Sequence, residues 1–393
     1  YCACNKIITK NRARAIPYLE HLHQEIVMQG TLFSQERKVE QLHWGGGTPT
    51  FINHDQMREL MRVTGEHFNL RDDDLGEYSI EVDPREADAD TIKLLREIGF
   101  NRLSMGVQDF DPDVQKAVNR IQSEEQTLAV LEAARQQGFK SVSMDLIYGL
   151  PHQSVESFSR TLDKVIAATP DRLSVFNYAH LPALFKTQRQ MNEADMPVPA
   201  EKLDILQHTI EQLGDAGYVY IGMDHFARPD DELALAQRDR SLYRNFQGYS
   251  THADCDLVAM GATSISKVGQ SYSQNEKDLE SYYSRLDNNE LPVFRGIELD
   301  SDDVLRREVI TQLICHFTLD IQSLEPERGI QFSQYFDVEQ DELRRMQDDG
   351  LLVQDNSHIT ILPAGRLLVR NICMVFDRYL RDSDGSRRFS KVI

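Results

Sequence analysis

VEQLHWGGGTPT, residues 39–50, opens a series of strand-then-helix units on which the architecture of this chain rests. Val39–Trp44 is rich in apolar and aromatic residues, which predicts a strand, and Gly45–Thr48 interrupts the pattern as a turn does. Asp55–Phe68 then carries apolar residues at helical spacing. The sequence therefore predicts a strand, a glycine-rich turn and a helix in that order.

The same alternation continues to about residue 225. Further strands are predicted at Glu77–Asp83, Arg102–Gln108, Ser141–Tyr148, Arg172–Tyr178 and Tyr218–His225. The intervening helices are predicted at Ala89–Ile98, Glu124–Gln137, Ser154–Ala168 and Glu201–Ala216. Because parallel strands need helical crossovers, six such units favour a full or partial TIM-like (β/α) barrel. The predicted fold class is α/β.

Polar and glycine residues cluster where the predicted strands end. They are Gly45–Thr48, Glu81, Asp83, Gln108, Asp109, Asp145, Asn177, His180, Asp224 and His225. The carboxyl ends of barrel strands form one rim, which is where barrel active sites lie. We therefore expect the functional site at this rim. Met105, Met144 and Met223, within predicted strands, are interpreted as core residues.

The pattern changes after the barrel. Residues 229–300 are richer in charge and turns, with one apolar run at Leu257–Val268, and are interpreted as a connector that caps the barrel. From about residue 301, helices at Asp302–Phe317, Val338–Asp349 and Ala364–Leu380 with a hairpin near Asn356 resemble a winged-helix module. The predicted domains are thus a barrel over 1–228, a connector over 229–300 and a winged-helix-like, mainly helical domain over 301–393.

The charge of the chain excludes several functions. Its 393 residues carry a net charge of −20, and acidic residues crowd the candidate recognition helix around residues 339–349, so phosphate backbones would be repelled. No apolar run reaches the length of a membrane span, and no secretory signal is evident, so a cytoplasmic location is expected. We expect no nucleic-acid partner.

The five cysteines are scattered and odd in number, which argues against a disulfide framework.

The chain opens on Tyr1-Cys2-Ala3-Cys4 without an initiator Met, as if a cysteine motif were cut through its middle. Two ordinary terminal thiols are the alternative interpretation. Three successive glycines at Gly45–Gly47 allow backbone to approach a polar small molecule, although a plain strand-to-helix turn would also use glycine.

Ten ordered segments give these features a specific interpretation. They are HWGGGTPT (43–50), SIEVDPRE (79–86), FNRLSMGVQDF (100–110), VNR (118–120), MDLIYGLP (144–151), RLSVFNYAHLP (172–182), IGMDHFARPDDELA (221–234), RNFQGY (244–249), GRLLVRNICMVFD (365–377) and RRFSKVI (387–393). Together they resemble the oxygen-independent coproporphyrinogen III oxidases of the S-adenosylmethionine (SAM) radical superfamily.

This resemblance implies a [4Fe–4S] cluster held by the first three cysteines of a CxxxCxxCxC motif. Cys2 corresponds to the third ligand, and Cys4 to an extra cysteine that is not a ligand. The first two ligands and the first barrel strand are then expected upstream of residue 1. Three thiolates leave one iron open for the amino and carboxylate groups of SAM.

The resemblance also implies a set of SAM contacts. They are Gly46, Gly47, Thr48, Glu81, Gln108, Arg120, Asp145, Ala179 and Ile265, with Glu81 at a ribose or a second SAM. Several of these residues have a structural alternative. Arg120 as a surface charge, Asp145 as a loop cap, and Ile265 and Ala179 as core residues all remain open.

The implied reaction is the oxidative decarboxylation of two propionates of coproporphyrinogen III to vinyl groups, which gives protoporphyrinogen IX and consumes two SAM molecules through a 5′-deoxyadenosyl radical. Candidate propionate contacts are His225, Arg228, Arg244, Asn245 and Tyr249, with solvated surface as the alternative. A heme-carrying relative without oxidase activity, or a clusterless regulatory protein, are the alternative functions. A monomer with an unidentified electron donor is expected.

Overall fold

The computed structural model describes residues 5–253 and 255–381. The chain folds into two compact units. The first unit includes residues up to Thr209 together with Cys255–Glu298, and the second includes Ile210 to residue 253 together with residues from Leu299 onward. The limits of these two units differ from the domain boundaries at residues 228 and 300 that the sequence predicts. Those boundaries refer to functional domains and stay predictions. No helix in the described part of the chain is long and apolar enough to cross a membrane.

The secondary structure is numbered in chain order. The strands are β1 Lys38–Val39, β2 Gln41–Trp44, β3 Asn69–Leu70, β4 Glu77–Val82, β5 Arg102–Gln108, β6 Ser141–Tyr148, β7 Arg172–Asn177, β8 Val219–Gly222, β9 His225–Ala227, β10 Tyr243–Asn245, β11 Gly248–Ser250, β12 Ile265–Val268, β13 Ser271–Asn275, β14 Val293–Glu298, β15 Thr318–Asp320, β16 Leu352–Gln354 and β17 His358–Ile361. The helices are α1 Ala15–Gly30, α2 His54–His67, α3 Ala89–Glu97, α4 Pro112–Ala117, α5 Glu124–Gln136, α6 Val155–Ala168, α7 Pro199–Asp215, α8 Glu232–Asp239, α9 Leu279–Asp287, α10 Ser301–His316, α11 Ile321–Arg328, α12 Phe332–Tyr335, α13 Gln340–Asp348, α14 Pro363–Arg366, α15 Val369–Met374 and α16 Arg378–Arg381.

The first unit is built on the predicted strand–helix repeat. Strands β2, β4, β5, β6 and β7 pair in parallel in that order, and α2, α3, α5 and α6 lie between them in sequence. Helices α2, α5 and α6 each begin with a capping box, as at Asn53 and Gln56, which satisfies orphan amide groups of the first turn. The α/β prediction is confirmed.

The two faces of this sheet differ in polarity. Ile80, Met105, Met144 and Leu173 alternate with polar residues and are fully buried in the core. The strand register aligns the intervening residues on the opposite face, where most are polar: His43, Ser79, Glu81, Ser104, Ser143, Asp145 and Ser174. In a parallel sheet that helices cover on both faces, the strands are apolar along nearly their whole length. The period-two alternation here therefore identifies a face suited to a polar ligand.

The first unit also holds elements that the sequence did not predict. Helix α1 packs against α2 and α9, with Leu19 and Ile26 in a buried cluster. The predicted connector contributes an antiparallel sheet of β12, β13 and β14. Residues 255–298 thus form regular elements of the first unit, and the capping role of the connector stays a prediction.

The prediction of a single strand at Tyr218–His225 is wrong. The segment forms an antiparallel hairpin of β8 and β9, which lies in the second unit. The chain reverses at Met223 and Asp224, with positive φ values of 141° at Gly222 and 49° at Met223. A left-handed backbone turns the chain within two residues, so the apolar run does not continue as one strand. Met223 lies in this turn and packs against the core of the unit, whereas Met105 and Met144 are core residues as predicted.

The second unit contains the predicted winged-helix order. Helices α10, α11 and α13 accompany a three-stranded antiparallel sheet of order β15, β17, β16. Its apolar core includes Leu313, Leu319, Phe336 and Ile359, all with no measurable exposure.

The predicted helix at Ala364–Leu380 is instead three short helices, α14, α15 and α16. Leu368 leaves the helical region, with φ −111° and ψ 19°. A side chain at Gly365 would lie 2.0 Å from the Leu351 carbonyl oxygen, so α14 is held against that backbone. The side chain of Asp377 accepts a hydrogen bond from the Tyr379 amide in the first turn of the next helix, α16.

Candidate active site

The glycine turn after β2 is fixed by the acidic side chain of the next strand. The Gly46 amide donates to Glu81 Oε2 at 3.2 Å, and Gly46 has a φ of 111°, which favours glycine. A Cβ on Gly45 would lie 2.5 Å from His43 Nε2 and 2.8 Å from Glu81 Oε1, so a larger residue here would displace these two side chains. Gly47 has neither constraint and is exposed. The plain-turn alternative thus explains Gly45 and Gly46 but leaves Gly47 available for contact with a ligand.

Glu81 belongs to a polar group on the same sheet face. His43 Nδ1 lies 2.8 Å from Ser79 Oγ, and His43 Nε2 lies 3.4 Å from Glu81 Oε1. The imidazole therefore orients the carboxylate beside the glycine turn. Glu81 keeps lone pairs for hydroxyl or amino donors of a small molecule.

Asp145 lies in the middle of β6, which excludes the loop-cap alternative. Its Oδ2 accepts a hydrogen bond from Ser104 Oγ at 2.7 Å. Burial raises the pKa of Asp145 to about 6, and the charge of Glu81 adds to this, whereas the hydroxyls of Ser104 and Ser174 oppose it. The two serine hydroxyls occupy only part of the acceptor capacity of this buried carboxylate, so a ligand can donate to it as well.

Arg120 is held inside the unit, so the surface-charge alternative is wrong. Its guanidinium contacts Asp83 Oδ2 at 2.9 Å and the Gly106 carbonyl at 2.8 Å, and its side chain is only 11% exposed. Burial alone would raise the pKa of Asp83, but Arg85 and Arg120 outweigh it and lower that pKa. Arg120 Nε is buried and has no hydrogen-bond acceptor among the described residues.

Gln108 lies at the end of β5, beside Arg120. It adopts a φ of 68°, and its Nε2 lies 2.7 Å from the position of a Cβ on Gly106. The glycine therefore allows the Gln108 and Arg120 side chains to approach the same stretch of β5. Thr48, Ala179 and Ile265 lie on other segments and are half-buried, so none of them is a fully buried core residue.

Glu25 in α1 is a residue that the sequence did not identify. It is fully buried, and its carboxylate accepts hydrogen bonds from Asn275 Nδ2 at 2.7 Å, the Gly261 amide at 2.8 Å and Tyr282 Oη at 2.5 Å. These bonds anchor the segment that precedes Ile265. The signal in the sequence was a lone acidic residue on the apolar face of an amphipathic stretch.

The substrate candidates lie in the second unit and differ in their partners. The Arg244 guanidinium lies 4.8 Å from the Tyr249 ring centroid, and the His225 ring meets the Tyr249 ring edge-on at 5.3 Å. Arg228 instead pairs with the exposed Asp230 at 3.3 Å, and Asn245 accepts from the Gln247 amide at 2.8 Å within a hairpin turn. Arg244, His225 and Tyr249 therefore form the coherent group.

Cys2 and Cys4 lie outside the described residues. Cys255, Cys315 and Cys373 are free thiols, as a reduced protein requires. Within residues 5–253 and 255–381, no three His, Cys, Asp or Glu side chains are grouped as metal ligands. The donors and acceptors at Glu81, Asp145 and Arg120 fit the hydroxyl, amino and carboxylate groups of SAM.

We expect Asp145→Asn to stabilise the protein at alkaline pH. Because the pKa is about 6 when folded and 3.8 as the ordinary value, the folded carboxyl binds its proton more tightly, and stability falls as pH rises between these values. The free energy of unfolding of the variant should therefore exceed that of the unaltered protein by on the order of 1–3 kcal/mol at pH 8 and by little at pH 4. Thermal unfolding at both pH values, with Asp72→Asn on an exposed loop as control, measures this. A lower melting temperature for Asp145→Asn at pH 8 would contradict the account.

Family models match two regions of this chain, and known proteins are similar to it over its whole length. The Radical SAM superfamily model matches residues 1–165, and the HemN C-terminal domain model matches residues 299–368. Proteins named oxygen-independent coproporphyrinogen III oxidase are similar to this chain over its full length. The chain covers 85% of the length of each of these relatives. They are 57% identical in Pseudomonas aeruginosa, 52% in Escherichia coli and 45% in Synechocystis. The solved structure of coproporphyrinogen III oxidase (HemN) from Escherichia coli, a radical SAM enzyme, superposes with a TM-score of 0.93 over 96% of this chain and 86% of that one, at 52% identity.

Proposed function

The chain belongs to the oxygen-independent coproporphyrinogen III oxidases of the radical SAM superfamily, and from this premise we propose how its own residues support that activity. The enzyme is an oxidoreductase of porphyrin and heme biosynthesis that converts coproporphyrinogen III to protoporphyrinogen IX. The observation that carries this conclusion is similarity over the whole chain and both family regions.

Membership of the family implies SAM and a [4Fe–4S] cluster. When bound, they supply the 5′-deoxyadenosyl radical that abstracts a hydrogen atom from carbon. We propose Cys2 as one of the three cluster ligands and Cys4 as a neighbouring non-ligand. The remaining tasks of this chain are to bind SAM, to orient the substrate and to exclude water.

We propose that the polar sheet face of the first unit binds SAM. Gly46, Gly47 and Thr48 present backbone to the methionine part, while Glu81 and Asp145 accept hydrogen bonds from hydroxyl or amino groups. Arg120 attracts a carboxylate, and Gln108 lies beside it. Ala179 and Ile265 provide apolar contact. The support is the geometry of Gly46, Glu81, Asp145 and Arg120 described above.

The reaction must remove two propionate carboxylates. For each vinyl group, one propionate must lose a hydrogen atom from its β-carbon, which the radical supplied by bound SAM would take up. The same propionate must lose CO2 and one electron, which an acceptor would take up. We propose that one SAM is consumed per vinyl group, hence two per product, and that Arg244, His225 and Arg228 contact propionates. We also propose a cytoplasmic monomer with a separate electron donor.

The ratio of products tests the stoichiometry. The full-length enzyme, supplied anaerobically with reductant, SAM, an electron acceptor and coproporphyrinogen III, should form two molecules of 5′-deoxyadenosine per protoporphyrinogen IX. A ratio of one at complete conversion would contradict the proposal of two SAM molecules. The heme-carrier alternative is not favoured, because the curated relatives over the whole chain are named as oxidases.

A further inference from the structure

Asp224 lies at the tip of the β8–β9 hairpin in the second unit. The backbone before it is left-handed at Gly222 and Met223, and the Tyr220 hydroxyl donates to the Met223 carbonyl at 2.9 Å. A non-glycine residue in this conformation is uncommon and costs free energy, so the turn that presents Asp224 is held by its surroundings. Asp224 therefore lies in the turn, immediately before the first residue of β9, His225.

This turn packs against the β10–β11 hairpin. A Cβ on Gly222 would lie 2.5 Å from Tyr249 Oη, and the rings of His225 and Tyr249 are 5.3 Å apart. Tyr249 pairs with Arg244 across β10 and β11, and its ring lies under the Arg244 guanidinium. The turn that carries Asp224 and the Arg244 side chain therefore both lie against Tyr249.

Neither of these charges is satisfied by the protein. Within the part of the chain that the structure describes, Asp224 makes no hydrogen bond and no ion pair, and Arg244 makes only its ring contact, with NH1 buried and without an acceptor. Burial raises the pKa of Asp224 to about 6, which the charges of Arg244 and Arg370 only partly oppose. Buried polar groups are normally hydrogen-bonded, so the buried Arg244 NH1 without an acceptor indicates a ligand that carries acceptors. The half-buried Asp224 carboxylate has no donor among the described residues, so the same ligand can offer donors to it.

We propose that Asp224 is a substrate-binding residue whose carboxylate accepts hydrogen bonds from the pyrrole N–H groups of the porphyrinogen, while Arg244 binds a propionate. The inference rests on the proposed function and extends it. A porphyrinogen has four pyrrole N–H donors and carboxylates at its edge, and a carboxylate is an acceptor-only group. Asp224 and Arg244 therefore match the two kinds of polar group on the substrate.

Binding of two related tetrapyrroles tests the assignment. Coproporphyrinogen III has four N–H donors, whereas its oxidised form, coproporphyrin III, keeps the four propionates but has only two N–H groups. In the full-length enzyme with cluster and SAM, Asp224→Asn should weaken coproporphyrinogen III binding by about tenfold or more. The substitution removes the negative charge and replaces one of the two acceptor oxygens with an NH2 group that meets the pyrrole N–H donors. Coproporphyrin III binding should change by less than about twofold. Arg244→Ala should weaken both, since both ligands carry propionates.

Asp239→Asn, at an exposed position in the same unit, is the matched control and should bind both ligands as the unaltered enzyme does. The melting temperature of Asp224→Asn should not fall, since a half-buried carboxylate without a hydrogen-bond donor is replaced by a neutral group of the same size. A fall would show a structural role and overturn the proposal. Unchanged coproporphyrinogen III binding, or equal weakening of both ligands, would also overturn it. If the unaltered enzyme neither binds nor converts coproporphyrinogen III, the proposed function itself fails.

Discussion

Replacement of Cys2 by alanine in the full-length protein is expected to abolish the iron–sulfur cluster and to reduce protoporphyrinogen formation to background. A cluster with an open iron needs three thiolates, and loss of one leaves two, which cannot hold four irons in place. Iron and sulfide analysis after anaerobic reconstitution, together with the visible absorbance of the cluster, measures the effect.

Cys4→Ala is the matched control, because it removes a thiol two residues away that we do not assign as a ligand. It should keep four irons per chain. A full complement of iron in Cys2→Ala, or its loss in Cys4→Ala alone, would reverse the assignment of these two cysteines.

Glu25→Ala is expected to destabilise the first unit strongly. The substitution leaves the Gly261 amide, the Asn275 amide and the Tyr282 hydroxyl without their acceptor inside the core. Unsatisfied buried donors and the vacated volume together cost about 3–5 kcal/mol in free energy of unfolding. Urea denaturation of the purified protein measures this change.

Glu20→Ala provides the control for helix α1, since Glu20 is exposed on the same helix. Its effect should stay within about 0.5 kcal/mol. A Glu25→Ala variant as stable as Glu20→Ala would show that the network does not anchor the segment before Ile265.

The strand–helix repeat could be predicted from sequence because each unit combines local signals. Helix α6 begins with Ser154 and Ser157 as a capping box and ends at Ala168, and β5 and β6 have the predicted bounds. Such elements depend on periodicity and turn residues that lie within a short window.

The elements that were wrong or missed depend on contacts distant in sequence. The β8–β9 hairpin has apolar residues on both sides of a turn that contains only one glycine, Gly222, so the reversal at Met223 gives no clear signal. Helix α1 and its residue Glu25 acquire their role from residues more than 230 positions away, at Gly261, Asn275 and Tyr282. No local pattern reports such partners.

The candidate site shows the same division. The positions of Gly46, Glu81 and Asp145 at the sheet followed from strand periodicity together with the resemblance, but their contacts did not. That Gly46 donates to Glu81, or that Arg120 is held by Asp83, follows from the parallel register of β2, β4 and β5, which local sequence does not specify.

The central claim, that this protein oxidises a porphyrinogen by hydrogen abstraction, is tested most directly by isotope transfer. The full-length enzyme would be given reductant, SAM, an electron acceptor and coproporphyrinogen III deuterated at the propionate β-carbons, without oxygen. We predict CO2, protoporphyrinogen IX and 5′-deoxyadenosine that carries one deuterium, detected by mass spectrometry. Tight binding of heme together with unlabelled 5′-deoxyadenosine and no divinyl product would contradict the oxidase function and favour a heme carrier.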